Sequence, residues 1–291
     1  MDKTQHKVLT EEEARKLGEH IVVIPEGYTH IGQKAFYCRN MIAVHIPEGV
    51  TTIDDGAFLF CDNLEYVNIP NSVTHIGMNA FDKCNQLNTI TIHADITSIG
   101  EGAFCNKGLQ WIEVDKNNPY FSSEEGILFN KDKTTLLAYP SQRKCPFYLI
   151  PSSVTEIADC AFGWANIRQI FIPDSVTKIG DNAFYGGHCF VDTNNPAYSS
   201  KNGYLFNKDQ TYLINIPEEA DKIFIPKSVN RINLMIFEGC DPLKFVIYCY
   251  ANSYGHQFAE EYELQYVLID GGVQTQINIE VNVWERTIPK R

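Results

Sequence analysis

Nine cysteines, eight histidines and 36 acidic residues are the groups in this 291-residue chain that could do chemistry. Thiols and imidazoles at close spacing would hold zinc or exchange electrons, and converging carboxylates would move protons. Cys38, Cys61, Cys84 and Cys240 each fall two or three residues after a phenylalanine, and His30 and His75 hold equivalent slots just before an isoleucine. Redox or metal chemistry is one reading of the thiols. The other is a small buried thiol filling one place in a repeated unit, which the regular spacing favours. There is no Cys-x-x-Cys pair, and the odd count leaves at least one thiol unpaired or shared between chains. The acids form no Gly-x-Ser-x-Gly elbow, His-Glu-x-x-His, P-loop or dinucleotide fingerprint. Asn130-Lys131-Asp132 and Asn207-Lys208-Asp209 carry too few ligands for a calcium loop and read as turns. No catalytic residue, cofactor or metal is expected, and the chain reads as a non-enzyme.

Behind these spacings stands a repeat. Ala-Phe recurs at Ala35-Phe36, Ala57-Phe58, Ala80-Phe81, Ala103-Phe104, Ala161-Phe162 and Ala183-Phe184, with a degenerate Ile236-Phe237. The first four phenylalanines are 22, 23 and 23 residues apart; a gap of 58, a step of 22 and a gap of 53 follow. Ile-Pro keeps step at Ile24-Pro25, Ile46-Pro47, Ile69-Pro70, Ile150-Pro151, Ile172-Pro173 and Ile225-Pro226, and Val-x-x-Ile lies between the two markers. In one unit, Leu64–Ile69 is a short strand with Leu64, Val67 and Ile69 facing inward. Proline ends it, having no N–H for another ladder bond. Val73 and Ile76 form a second extended piece, Gly77 turns, and Met78–Phe81 makes about one helical turn. So short a unit cannot bury enough surface by itself, and stacking must complete its core.

The long gaps have one cause. Segments 115–140 and 192–217 are identical at 15 of 26 positions and read as β-hairpins spliced into a coil. Thr10 with Glu13 is a capping box opening a short helix that stops near Gly18. Ser253–Glu261 reads as a helix and Leu264–Ile269 as a strand. Asp270-Gly271-Gly272 turns into an alternating Val273–Val283, giving a terminal hairpin.

The Leu64–Cys84 stretch follows Leu-x-x-Ile-x-Ile-Pro-x-x-Val-x-x-Ile-Gly-x-x-Ala-Phe-x-x-Cys almost throughout and resembles the BspA-like leucine-rich repeat family. The Asn-Pro-x-Tyr/Phe-Ser-Ser inserts and the Ser253–Tyr262 helix are similar to that family too. The resemblance implies a repeat solenoid: a leucine-rich repeat right-handed superhelix with parallel strands on the concave face, short helical turns on the convex side and β-hairpin inserts. It also implies surface proteins used in adhesion. On this reading 1–19 is an N-terminal capping helix, 20–270 the array with inserts at 115–140 and 192–217, and 271–291 a C-terminal capping strand and tail.

Registering each strand on Leu64–Ile69 gives the pairs that should point to the concave face. They are Ala43/His45, Tyr66/Asn68, Thr89/Thr91, Trp111/Glu113, Phe147/Leu149, Gln169/Phe171, His188/Phe190, Lys222/Phe224 and Phe245/Ile247. The column is aromatic, and such patches mark interaction sites. Tyr66, Trp111, Glu113, Phe171, Phe190, Phe224 and Phe245 are the expected contacts with a host, matrix or cellular protein. The alternative is a self-assembling structural protein that buries this face in a homodimer or larger homo-oligomer.

A net charge of -12 without a Lys/Arg run speaks against nucleic acid or an anionic membrane as partner. The longest apolar runs fall far short of the ~20 residues of a spanning helix. Met1–His20 is polar, and the 23 asparagines include no Asn-x-Ser/Thr. The residues thus suggest a cytoplasmic or unconventionally exported chain, while the resemblance implies the cell surface.

Overall fold

Each Ile-Pro, Val-x-x-Ile, Ala-Phe cycle closes one coil, and coils stack through backbone ladders on two sides. The computed structural model describes residues 6–237, 243–269 and 275–277. The chain divides into two compact units. One holds the described residues of Met1–Pro146 with Pro151–Ile167 and Lys178–Phe184; the other holds Phe147–Ile150, Arg168–Thr177 and the described residues of Tyr185–Arg291. Both are leucine-rich repeat solenoids of parallel strands.

In the first unit, Ile21–Val23, Ala43–His45 and Tyr66–Asn68 form a parallel ladder, and Thr89–Ile92 pairs with Trp111–Val114 in a second. The Val-x-x-Ile pieces build another ladder, five two-residue strands from Val8–Leu9 to Ser98–Ile99. Pairing is in register by repeat, so Val22, Val44 and Val67 align, and Val22 and Val44 are fully buried. The Ala-Phe phenylalanines stack. Phe36, Phe58 and Phe81 sit with ring centroids 5.1 Å apart and nearly parallel, and Phe104 follows at 6.0 Å. That spacing is close to the ~4.8 Å between strands, so the ladder sets the column. The residue before five of the six alanines is left-handed (Lys34, Gly56, Asn79, Gly102, Cys160), which tightens the turn.

The first insert sits between the two strands of one coil. Phe121–Glu124 and Ile127–Asn130 form an antiparallel hairpin, and Thr135–Ala138 pairs back on it. Thr135 and Leu136 then lie beside Glu156 and Ile157 in parallel, so Leu136 takes the place of the repeat isoleucine. Ala138-Tyr139 takes the place of Ala-Phe: Tyr139 stacks on Phe162 at 5.1 Å, and Phe162 on Phe184 at 5.2 Å. The long gap thus hides one more member of the ring column. The insert is tied down by Asn118, fully buried. Its amide donates to the His93 and Ile96 carbonyls at 2.8 and 2.9 Å, and its oxygen accepts from the Tyr120 and Phe121 N–H groups. Asn130 accepts from the N–H groups of Thr134 and Thr135, which makes Asn-Lys-Asp a turn. At the N-terminal end, the short helix α1 (Glu11–Ala14) carries the Thr10–Glu13 capping box.

The second unit repeats this plan. Phe147–Leu149, Gln169–Ile172 and His188–Val191 form a parallel ladder. The second insert, Tyr198–Lys201, Tyr204–Asn207 and Tyr212–Asn215, runs into Arg231–Ile232. Asn195 repeats the role of Asn118, donating to the carbonyls of Pro173 and Val176. Lys222–Phe224, Val246–Cys249 and Tyr266–Leu268 are parallel, and Thr275–Ile277 closes this sheet antiparallel to Tyr266–Leu268. Phe237 lies between Phe245 and Phe258, the latter on helix α2 (Tyr254–Glu261), whose N-cap is Ser253. Cys240, Asp270-Gly271-Gly272, and Val273–Val283 apart from 275–277 lie outside the described residues.

One expected register is corrected. Lys222 pairs with Val246 and Phe224 with Tyr248, so Phe245 and Ile247 point inward and are buried. The large ring of Phe245 packs on Phe237 in the core, while Leu243 is exposed. A shift of one residue in a strand exchanges its two faces.

Candidate partner-binding faces

Period-two alternation along each long strand buries one residue and presents its neighbours. In the first unit, Tyr66, Trp111 and Glu113 are exposed. Tyr66 meets His45 at 5.7 Å, whereas Asn68 exchanges two hydrogen bonds with the Ile46 backbone and joins coils. Thr89 and Thr91 lie beside Trp111 and Glu113 on the paired strand. The turn of the first insert reaches this face: the Ile112 N–H donates to the Gly126 carbonyl, and the indole lies against Gly126. One side of Trp111 is therefore covered by the insert, and the residue remains 46% exposed.

In the second unit, Leu149, Phe171 and Phe190 stand on three successive parallel strands, paired Leu149↔Phe171↔Phe190, with Phe147 on the first. All four are exposed, Leu149 at 61%. The Phe171 and Phe190 rings stack at 5.1 Å and 20°. His188 beside them stands against Gly203 of the second insert and 4.0 Å from Glu219. Phe224 packs on Tyr248 at 4.7 Å, a neighbour that the sequence register missed.

The other chemistry-bearing residues are engaged in the coils. The Cys61 and Cys84 thiols donate to the carbonyls of Phe36 and Phe58 at 3.0 and 3.2 Å. Burial pushes the Cys84 thiol well up, and Cys189 to about 12, so neither supplies a thiolate near neutral pH. Cys38 departs from the buried slot and is exposed, on a left-handed backbone. His75 is exposed and His30 half-buried. A surface groove of about 470 Å³ brings His75 near Asp54 and Asp55. Burial raises the Asp54 carboxyl, with His30 opposing; Asp55 accepts from the Met78 N–H at 2.7 Å. Among the described residues no three His, Cys, Asp or Glu converge as metal ligands, and no helix is long and apolar enough to cross a membrane.

Comparison with known proteins agrees with this architecture. A family model described as BspA type leucine rich repeat region matches residues 19–129 and 141–254 in six copies. A leucine rich cell surface protein from Faecalibacterium prausnitzii A2-165 is similar in structure, with a TM-score of 0.56 and 27% identity over 79% of this chain and 66% of its own. A leucine-rich repeat protein from Eubacterium ventriosum ATCC 27560 gives 0.49 and 25% identity over 80% of this chain and 60% of its own. The chain thus spans less than two thirds of the length of either. No curated protein matches.

Proposed function

Because the chain belongs to the BspA type leucine-rich repeat family, we propose that it is a non-catalytic protein-binding module of adhesive type. Its partner is a protein held on the exposed aromatic faces. The observation that carries this reading is the Leu149–Phe171–Phe190 row, with Phe147 at its edge: apolar side chains presented to solvent from three rigid, hydrogen-bonded strands. Aromatic rings on a fixed scaffold lose little conformational freedom on binding, and such anchors carry about 2 kcal/mol or more each in protein interfaces. Tyr66, Trp111 and Glu113 form a second contact region on the first unit, and Phe224 with Tyr248 a third. Phe245 belongs to the core and takes no part. The F. prausnitzii cell surface protein supports placing the partner outside the cell.

The test is a cross-linked pull-down from host extract and from native cells, using the wild type beside a Leu149→Ser, Phe171→Ser, Phe190→Ser variant. Circular dichroism would first establish that the variant is folded. A protein captured by the wild type and lost by the variant is the expected result. Equal capture by both would sink the assignment of this row, and capture of the chain alone, with a mass that rises with concentration, would favour self-assembly.

A further inference from the structure

The insert coil of the first unit has no helical turn of its own. After Tyr139 the chain passes directly into Pro140 and Ser141. Ala158 and Cys160, from the turn of the next coil, line one small cavity together with Gly100–Cys105, from the turn before the insert. The approach is close: a Cβ on Gly163 would stand 2.2 Å from the Cys105 sulfur and 3.0 Å from the Cys160 carbonyl oxygen. The Cys160 sulfur lies on the same side, 3.6 Å from where a Cβ on Gly102 would stand, so both thiols face this one space. The cavity holds about 30 Å³, room for a sulfur to change rotamer or for one water. Cys105 is nearly buried, and Cys160 is partly open to solvent.

Cys61 and Cys84 make an instructive contrast. Each thiol donates to a carbonyl of the preceding coil, and both residues are fully buried. An oxidant cannot reach that pair without opening the coils. The Cys105–Cys160 pair has a reachable sulfur, a second thiol on the same cavity and space beside it.

We infer that Cys105 and Cys160 are a dithiol site that closes to an intramolecular disulfide on meeting a small-molecule disulfide such as oxidised glutathione. The Cys160 sulfur, as thiolate, attacks one glutathione sulfur, breaking the S–S bond and releasing one glutathione thiolate, which takes up a proton. Cys105, whose thiol its Cys160 neighbour and burial push well up, gives its proton to solvent as it attacks the Cys160 sulfur of the mixed disulfide, a step that mildly alkaline pH speeds, and releases the second glutathione. The protein gives up two electrons and two protons, and oxidised glutathione becomes two thiols. The new bond closes a loop that contains the whole first insert and Trp111. It would staple together the turns on either side of the insert.

The experiment treats the native full-length chain with oxidised glutathione, quenches with acid, alkylates and maps peptides without reduction. A linked Cys105–Cys160 peptide is expected, with two thiols fewer by titration in denaturant and recovery of both on adding dithiothreitol. Cys160→Ser, its fold checked by circular dichroism, should lose the linked peptide and leave Cys105 as a free thiol. Stable glutathione on Cys160, a link from either residue to a different cysteine, oxidation only after denaturation, or no loss of thiols would each overturn the assignment.

Discussion

The indole of Trp111 lies across the α-carbon of Gly126, so closely that a Cβ there would fall 2.7 Å from the ring atoms Cδ2 and Cε3. Gly126 has φ +80°, a conformation that few side chains tolerate. The second insert repeats the arrangement, with Gly203 at φ +84° against the His188 ring. The close approach explains why both inserts keep a glycine at the hairpin turn. Each insert is thus seated against the strand whose side chains it partly covers.

Gly126→Ala should therefore destabilise the first unit by about 1–3 kcal/mol, through backbone strain and displacement of the indole. Urea unfolding followed by circular dichroism measures the loss, and the tryptophan emission of the folded variant should shift. A stability within about 0.5 kcal/mol of wild type, the range of ordinary surface changes, would refute the packing described.

Asn118→Ala should cost about 2–4 kcal/mol. Its side chain is buried and satisfies two carbonyls and two N–H groups, all of which lose their partner together. The neighbouring Asn117 is exposed, and Asn117→Ala serves as the near-neutral control. Equal midpoints for the two variants in denaturant would mean that Asn118 does not anchor the insert.

Stability should fall in alkali partly because of Cys189. Its thiol is fully buried and pushed from 9.0 to about 12, mainly by desolvation, with an Asn215 hydrogen bond opposing. The folded-state value lies above the unfolded one, so the contribution of the protonated thiol is complete below pH 9 and is lost as the pH rises toward 12. At ~1.4 kcal/mol per unit, the loss reaches on the order of 4 kcal/mol. Unfolding measured at pH 8 and at pH 10.5 should show a smaller decline for Cys189→Ala than for wild type. Parallel declines would remove Cys189 as a cause.

Much of this was legible because a repeat states its constraints many times over. Ala-Phe at a 22–23-residue period required one ring per coil, and the rings stack. Ile-Pro marked the strand ends, and Thr10 with Glu13 marked the first helix. Tyr66, Trp111, Phe171, Phe190 and Phe224 were found on exposed faces because the two-residue alternation of a strand is short-ranged. Tyr139 escaped notice as a ring-column member because tyrosine replaces phenylalanine after a spliced hairpin, where the period no longer counts residues. Phe245 was misplaced for a related reason: past the second insert, spacing alone could not choose between registers one residue apart, and core volume decided.

The sequence by itself determined the coil, its inward residues and the stacking of one coil on the next, because these rest on contacts that recur every 22 or 23 residues. Only the tertiary structure decided what each insert touches. It placed Gly126 under Trp111 and Gly203 against His188, and it brought Cys105 to Cys160 across a coil that lacks its turn. Those contacts join residues with no periodic relation, and their geometry depends on how side chains of particular volume fill the space left between coils.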